Sequence, residues 1–445
     1  MSVENSTAMV RVVPRIGDIA AADWDACANP ETDPASTADT DNTDTGDTAD
    51  TGDTTDSGPA PHQYDPFVSH AFLSALEDSR SASPATGWAA RHLILETAQD
   101  NTEGRAQDSA KSQDSTKRKV LGCMPCYLKS HSQGEYIFDH GWADAYQRAG
   151  GRYYPKLQSA VPFTPVPGRR LLTRPGAHEA EIRKLLARAA IDLARRLDAS
   201  SLHITFASES EWSQLGCSSS RDDMGLLQRT GSQFHWQNEG YGTFDDFLAS
   251  LASRKRKVLR KERGTALQGG LTIRHLTGAD IKEHHWDRFF EFYLDTANRK
   301  WGQPYLTRSF FSLLGERLKN RCLLIFCERH GRAIAGALNM IGSDCLYGRY
   351  WGAIEHHPCL HFEVCYYQAI DFAIAHGLRR VEAGAQGEHK LARGYRPMPT
   401  YSLHWIADRG LRKAVADYLS RERRHDALER EALAQFTPFK KTPGC

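Results

Sequence analysis

The chain has 445 residues, 40% of them apolar, and a formal net charge of +1. That apolar share supports large buried cores and excludes a chain disordered throughout, and no apolar run approaches the ~20 residues of a membrane-spanning helix. The near-neutral total hides a division, since 31–57 holds nine acidic residues and no basic ones and leaves +10 on the remainder. A moderately basic body suits an anionic ligand.

The N-terminus Met1-Ser2-Val3-Glu4 lacks the basic start and apolar middle of a signal peptide, which predicts a cytoplasmic protein. The β-branched run Val10-Arg11-Val12-Val13 then leads through Gly17 to Asp18-Ile19 and, four residues on, Trp24-Asp25. The same opening recurs when Leu271-Thr272-Ile273-Arg274 and Gly278 precede Asp280-Ile281 and Trp286-Asp287, so one unit is made twice. After the first opening, the Asp/Thr/Gly tract at 31–58 and the polar stretch at 98–118 cannot bury apolar surface and are expected to be disordered. Strands are predicted at 91–96, 119–129 and 135–141, a helix at 179–197 and a strand at 201–207. In the second half, strands at 322–328 and 332–341 flank the turn His330-Gly331, and a third strand spans 345–354. A helix at 362–376 stops at Gly377 and a strand covers 379–383. Strand, helix, antiparallel strands, helix and strand recur in this order, which predicts a sheet with helices packed on it.

Between the halves, Ser253-Arg254-Lys255-Arg256-Lys257-Val258-Leu259-Arg260-Lys261-Glu262-Arg263 puts seven cations within ten residues. If one helix ran from Phe244 through this run, Lys255 and Glu262 would fall on the apolar stripe of Phe244, Phe247, Leu248, Leu251, Val258 and Leu259. Either the helix breaks and Ser253 caps a new one, or Lys255 turns inward to an anion. A solvated basic face, a phosphate-bearing substrate and nucleic acid all fit the run.

The second chemical centre runs from Tyr347 to Pro397. Tyr347-Gly348-Arg349-Tyr350-Trp351 alternates aromatic and cationic side chains along a strand. Glu355, His356, His357, His361 and Glu363 crowd the strand-to-helix turn, and Val381-Glu382-Ala383-Gly384-Ala385-Gln386-Gly387 ends a strand in glycines just before His389, Lys390 and Arg393. Ligands commonly sit beyond such strand ends. Adjacent side chains diverge, so the histidine cluster reads as proton-transfer chemistry and not a metal site. Cys123 and Cys126 have ligand spacing but no second pair, and reduced buried thiols are expected.

Tyr347–Trp351, Leu360-His361-Phe362-Glu363-Val364-Cys365-Tyr366-Tyr367, Val381–Gly387 with Lys390, and the basic run resemble the predicted N-acyltransferase family of peptidoglycan biosynthesis or recognition. The stretches from Tyr127 to Tyr136, Asp139-His140-Gly141-Trp142-Ala143 and Tyr153-Tyr154-Pro155-Lys156 through Pro165 carry the same resemblance. That family is similar to the Fem-type aminoacyltransferases, tandem domains of the GNAT fold. The resemblance implies an α/β (α+β) protein of tandem GNAT-like acyltransferase domains, each a mixed sheet flanked by helices. The expected division is 1–240 for the first domain, 241–270 for a basic helical junction, 271–430 for the second domain and 431–445 for a tail.

The implied activity is transfer of an acyl or aminoacyl group to an amine, with a cell-wall precursor as acceptor and tRNA as a partner in the Fem pattern. No resident cofactor is implied, and the donor is open among aminoacyl-tRNA, an acyl carrier and acyl-CoA. The turn Glu355-His356-His357-Pro358-Cys359-Leu360-His361 lacks the glycines that cradle the pyrophosphate of acetyl-CoA, which favours another donor. Amide formation needs a proton acceptor and an oxyanion partner. Glu363 or His361 is the candidate acceptor. Lys390, which matches the Fem lysine by order although His389 stands where an aromatic residue usually precedes it, and Arg393 are the candidate oxyanion partners. Ser253, Arg254, Lys255, Arg256, Arg260 and Lys156 are expected to hold anionic groups, with Trp142, Tyr154, Tyr347, Arg349 and Trp351 lining the substrate site. The rival readings are a non-catalytic module that binds cell-wall fragments or RNA, and an acetyl-CoA-dependent N-acetyltransferase.

Overall fold

The computed structural model describes residues 8–30, 63–98, 118–216, 223–300, 303–384 and 387–440. The predicted acidic tract and all but the end residues of the polar insert at 98–118 lie outside them. The first half contributes β1 (Ala8–Val13), β2 (Trp88–Ala90), β3 (His92–Ala98), β4 (Arg118–Met124), β5 (Tyr127–Lys129), β6 (Lys156–Ser159), β7 (Leu172–Thr173), β8 (Ser201–Ala207) and β9 (Leu227–Gln237). Its helices are α1 (Ala21–Ala28), α2 (His70–Asp78), α3 (His140–Arg148), α4 (Glu179–Arg196) and α5 (Glu209–Leu215). At the junction lie α6 (Phe244–Ser250) and α7 (Ser253–Ala266). The second half adds β10 (Leu271–Thr277), β11 (Cys322–Arg329), β12 (Arg332–Ile341), β13 (Cys345–Ala353), β14 (Arg380–Glu382) and β15 (Arg396–Ile406), with α8 (Glu283–Lys300) and α9 (Arg308–Arg317). A helix then starts at Leu360–Phe362 (α10), widens into a π-turn over Glu363–Tyr367, and continues as α11 (Gln368–Ala375). The last helix, α12 (Arg409–Ala434), runs past the expected tail boundary.

The duplication read from the two Trp-Asp openings holds at the level of topology. Each half begins with an edge strand, β1 or β10, antiparallel to the next long strand, β3 or β11. Each opening makes a one-turn helix and then α1 or α8, and both of their tryptophans are buried, Trp24 giving its indole proton to the Val68 carbonyl. Later in each half a strand runs parallel to its neighbour, β8 on β6 and β14 on β13. The strands that end the two halves are exchanged. β9 leaves its own half to pair with β14, and β15 pairs with β8, while β9 and β15 pair with each other. The result is one sheet of eleven strands in the order β10-β11-β12-β13-β14-β9-β15-β8-β6-β5-β2, beside a four-stranded sheet β1-β3-β4-β7. One apolar core spans the halves, with Phe72 of α2 edge-on to Phe310 of α9 at 5.8 Å and Phe67 edge-on to Tyr347 at 5.1 Å.

Three local expectations are corrected. The predicted strand 119–129 is interrupted at Pro125, so β4 and β5 belong to different sheets; proline cannot continue a ladder. The predicted strand 135–141 is an irregular loop that runs into the start of α3 at His140, because Glu135 and Asp139 turn inward to a buried lysine and give up the alternation of a strand. The helix break before the basic run is real, but Ala252 is the N-cap and the Ser253 hydroxyl makes no cap bond. Extended backbone at Leu251 and Ala252 is held by the chain's C-terminal segment, through Ala252 N–H to the Pro438 carbonyl at 2.9 Å and Lys440 N–H to the Ser250 carbonyl at 3.0 Å. This rotates Val258 out to solvent, off the stripe that one unbroken helix would have made.

Candidate functional site

β13 has nine residues, yet β14 pairs with only three of them, Cys345 to Arg380, Leu346 to Val381 and Tyr347 to Glu382. Beyond Tyr347 the two parallel strands separate. The cause is visible on both sides: β14 runs into Gly384, whose φ of 78° suits glycine, and β13 carries a bulge. Leu338 of β12 faces Tyr350 while Asn339 faces Gly348, so Arg349 is the extra residue. Bulges bend a strand and re-aim its side chains. Arg349 and Tyr350 both donate to the Phe163 carbonyl of the first half, at 2.9 and 3.2 Å, which seats the loop after β6 against the opening. Tyr347 is buried against Phe67, so it supports the strand from the core side.

A short helix over Glu388–Arg393 follows β14, and it is tied back to the end of that strand by Lys390. Lys390 is buried, donates to the Gly384 carbonyl at 2.9 Å, and is pulled down to about 8 by burial. Beside it His389 shares a hydrogen bond with the Tyr366 hydroxyl at 2.9 Å, and the His361 ring packs against Trp351 at 5.3 Å and Tyr366 at 5.3 Å. Arg393 lies over the Phe362 ring at 3.4 Å and its Nη2 donates to both carboxylate oxygens of Glu262 of α7, each at 2.9 Å. The Tyr367 hydroxyl also donates to Glu262. These contacts close one end of a cavity of 340 Å³ lined by Arg254, Lys255, Val258, Leu259, Glu262, Ala392 and Arg393. Arg254 and Lys255 belong to the first turn of α7, where unpaired N–H groups add to their positive charge. Ser253 is exposed at the same end, Arg256 is half-buried, and Arg260 is occupied by Asp245 at 3.0 Å.

Several expected site residues do other work. Glu363 is fully buried and already accepts a bidentate pair from Arg263 (2.9 and 3.2 Å) and a bond from Gln368 (2.7 Å), with Asp371 sharing the same guanidinium. It staples α7 to the π-turn, and both of its oxygens are engaged, so taking a substrate proton would break that ion pair. Lys156 lies in a separate buried cluster in the first half, giving its ammonium protons to Ser132 and Glu135, both at 2.7 Å, and to Asp139. Burial disfavours that ammonium, but the two carboxylates outweigh it and hold its pKa above the usual value. It cannot also bind a ligand phosphate. Tyr154 bonds Ser132 at 2.8 Å in this cluster, and Trp142 packs edge-on to His404 at 5.0 Å with Arg229 over its ring. The fold therefore sets Lys390 at the end of β14, packs His361 on Trp351 of β13, gathers Arg393, Lys255 and Arg254 around the cavity beside α7, seats Arg349 against the first half, and leaves Lys156, Tyr154 and Trp142 elsewhere. Cys123 and Cys126 are buried free thiols raised by burial.

Against known proteins, the family model FemAB_like, described as peptidoglycan biosynthesis/recognition, matches residues 15–441. The chain belongs to this family. Solved structures similar to the FemAB-like chain include FemX, at 12% identity over 76% of this chain and 93% of that one, with a TM-score of 0.45. L-PGS from Bacillus licheniformis follows, at 8% identity over 72% and 87% with a TM-score of 0.42. A tandem GNAT protein from the clavulanic acid biosynthesis pathway covers 90% of this chain and 99% of its own at 12% identity and a TM-score of 0.41. These overlays are too loose to bear on chemistry. No curated protein matches the FemAB-like sequence. Among the described residues, no helix is long and apolar enough to cross a membrane.

One buried acid at the opening was not singled out by its spacing in the sequence. Glu382 is the last paired residue of β14, directly before the glycines. The signal available was an ionisable side chain at the end of an otherwise apolar short strand.

Proposed function

We propose that this chain is an N-acyltransferase that moves an acyl or aminoacyl group from an activated ester or thioester to an amine of a cell-wall precursor. The observation that carries the reading is the opening after Tyr347 and Glu382, with a buried lysine on the short helix that follows β14 and a cationic cavity beside α7. A lysine held near 8 is still cationic at neutral pH. A buried cation aimed at a reacting carbonyl stabilises the developing oxyanion far more than an exposed one, because water does not screen it. The Fem resemblance gives its lysine the same electrostatic role. Arg393 shapes the cavity wall through Glu262, and Arg254 and Lys255 supply charge for phosphate groups of donor or acceptor.

The turn before α10 favours a donor other than free acetyl-CoA. It has no glycine, and the Glu355 carboxylate there pairs with Arg329 at 2.7 Å and His357 at 3.0 Å, where a diphosphate would meet repulsion. Aminoacyl-tRNA or a carrier-bound acyl group fits better. Purified protein supplied with a lysine-containing muropeptide, and in turn with charged tRNA, acyl carrier and acyl-CoA, should add one acyl mass to the peptide with at least one donor. No mass change with any of the three would end this reading.

A further inference from the structure

The reaction proposed above needs a base for the attacking amine, and Glu363 is consumed by Arg263. Glu382 occupies the vertex where β13 and β14 part, 4% exposed, and its Oε2 has no hydrogen-bond partner among the described residues. Its other oxygen lies 3.3 Å from Arg380 Nε and 3.9 Å from His235 Nδ1. The groups that face it come from four elements: Arg380 of β14, Cys345, Tyr347 and the bulge residue Arg349 of β13 with Asp344 just before that strand, His235 of β9, and Asp65 ahead of α2. Other buried carboxylate oxygens without partners are those of Glu135 and Asp139, and both of those acids are locked onto Lys156.

Resting on the acyl-transfer reading, we propose that Glu382 is the proton acceptor of this site, taking the amine proton through its unpartnered Oε2. The amine lone pair attacks the carbonyl carbon of the ester or thioester and forms the C–N bond. The nitrogen's surplus proton passes to Glu382. Collapse of the tetrahedral intermediate breaks the C–O or C–S bond, and the departing alkoxide or thiolate takes that proton, which returns Glu382 to its carboxylate. Burial raises the Glu382 carboxyl to about 7, against the opposing pull of Arg380 and of a hydrogen bond with the Cys345 thiol, and this is where an effective base at neutral pH should sit. His235 is kept neutral, down at about 3, by burial and by Arg380 and Lys390, so it does not compete for the proton.

The test compares wild type, Glu382→Gln and Glu382→Asp on two nucleophiles with whichever donor supports transfer. One is the lysine-containing muropeptide, whose amine must shed a proton. The other is hydroxylamine, which is neutral near pH 7 and a strong nucleophile without a base. Glu382→Gln is expected to lose about 100-fold or more in kcat with the peptide, to lose the rate's acid limb near pH 7, and to stay within about threefold of wild type with hydroxylamine. Glu382→Asp, which keeps a carboxylate one methylene short, should retain partial peptide transfer with a displaced acid limb, and it serves as the reading if the glutamine variant does not fold. Wild type that transfers to both nucleophiles, with Glu382→Gln or Glu382→Asp unchanged in rate and pH profile, overturns the assignment and leaves the transferase intact. Equal losses on both nucleophiles also overturn it, since they mark a structural role. Wild type inert toward both overturns the transferase reading itself.

Discussion

Lys390 and Glu382 are both held in protonation equilibria that weaken the fold. Lys390 has its folded pKa lowered from 10.5 to about 8 by burial, so at pH 7 the native state holds a proton less tightly than the unfolded chain. Stability from this group is therefore depressed below pH 8 and recovers as pH rises from 8 to 10.5. Lys390→Met is expected to raise Tm at pH 7 while reducing transfer about 100-fold, read by calorimetry and by the acyl-transfer assay. Glu382 has the opposite sign. Its folded pKa is raised from 4.5 to about 7, so the native state favours the proton and stability declines as pH climbs through that window. Wild type should lose up to about 3 kcal/mol of stability between pH 4.5 and 8 from this group, and Glu382→Gln should flatten that slope in urea titrations at the two pH values. Lys156 sits in a different energetic setting, because its charge is fully compensated. Lys156→Met strands Glu135 and Asp139 in the interior and is expected to cost about 3–5 kcal/mol, seen as a lower urea midpoint.

At the scale of elements, α7 both holds itself in place and lines the cavity. Glu262 pairs with Arg393, and Arg263 pairs with Glu363 and Asp371, which fixes the helix against the π-turn. Arg254, Lys255 and Leu259 line the cavity together with Glu262, while Lys257 and Lys261 are exposed to solvent. Removing charge from the cavity end should weaken anionic ligands without unfolding the protein. Arg254→Glu with Lys255→Glu is expected to reduce binding of inorganic pyrophosphate at least tenfold, and wild-type binding should weaken as salt is raised. Unchanged affinity, measured by titration calorimetry, would show that this cavity does not take phosphate. The π-turn belongs to the same construction, since the wider turn keeps Glu363, Tyr366 and Tyr367 all buried beneath α7 and Lys390.

For the molecule as a whole, the exchange of β9 and β15 makes each half depend on the other. β14 alone offers three residues to its neighbours, and without β9 its outer edge would be unpaired and the apolar Val381, Phe372 and Tyr395 would lose the cover of Phe234 and Trp236. An exposed sheet edge over apolar surface invites aggregation. A fragment covering 271–440 is therefore expected to be insoluble, and co-expression with 1–270 should recover a soluble complex, measured by sedimentation and size-exclusion chromatography. A soluble, folded 271–440 on its own would show that the exchange is dispensable.

Much of this architecture was present in local pattern. The strand 201–207 and the strand 332–341 coincide with β8 and β12, the helix 179–197 differs from α4 by one residue, and the paired Trp-Asp openings announced the duplication. Such features arise from periodicity, caps and turns, which act between residues a few positions apart and are therefore legible in the linear chain. The position of Lys390 and Arg393 in the fold, just after a glycine-ended strand, was legible for a similar reason. What a charged residue pairs with is not local. Glu363 meets Arg263 a hundred residues away, Lys156 is claimed by Glu135 and Asp139 from a loop that its pattern made look like a strand, and the helix break at Leu251 is maintained by residues 438–440. The exchange of β9 for β15, the opening of β13 from β14 and the solitary oxygen of Glu382 likewise exist only once the halves are assembled. Ladder pairing and burial are decided by which surfaces meet in space, and the order of residues along one strand does not encode its partner.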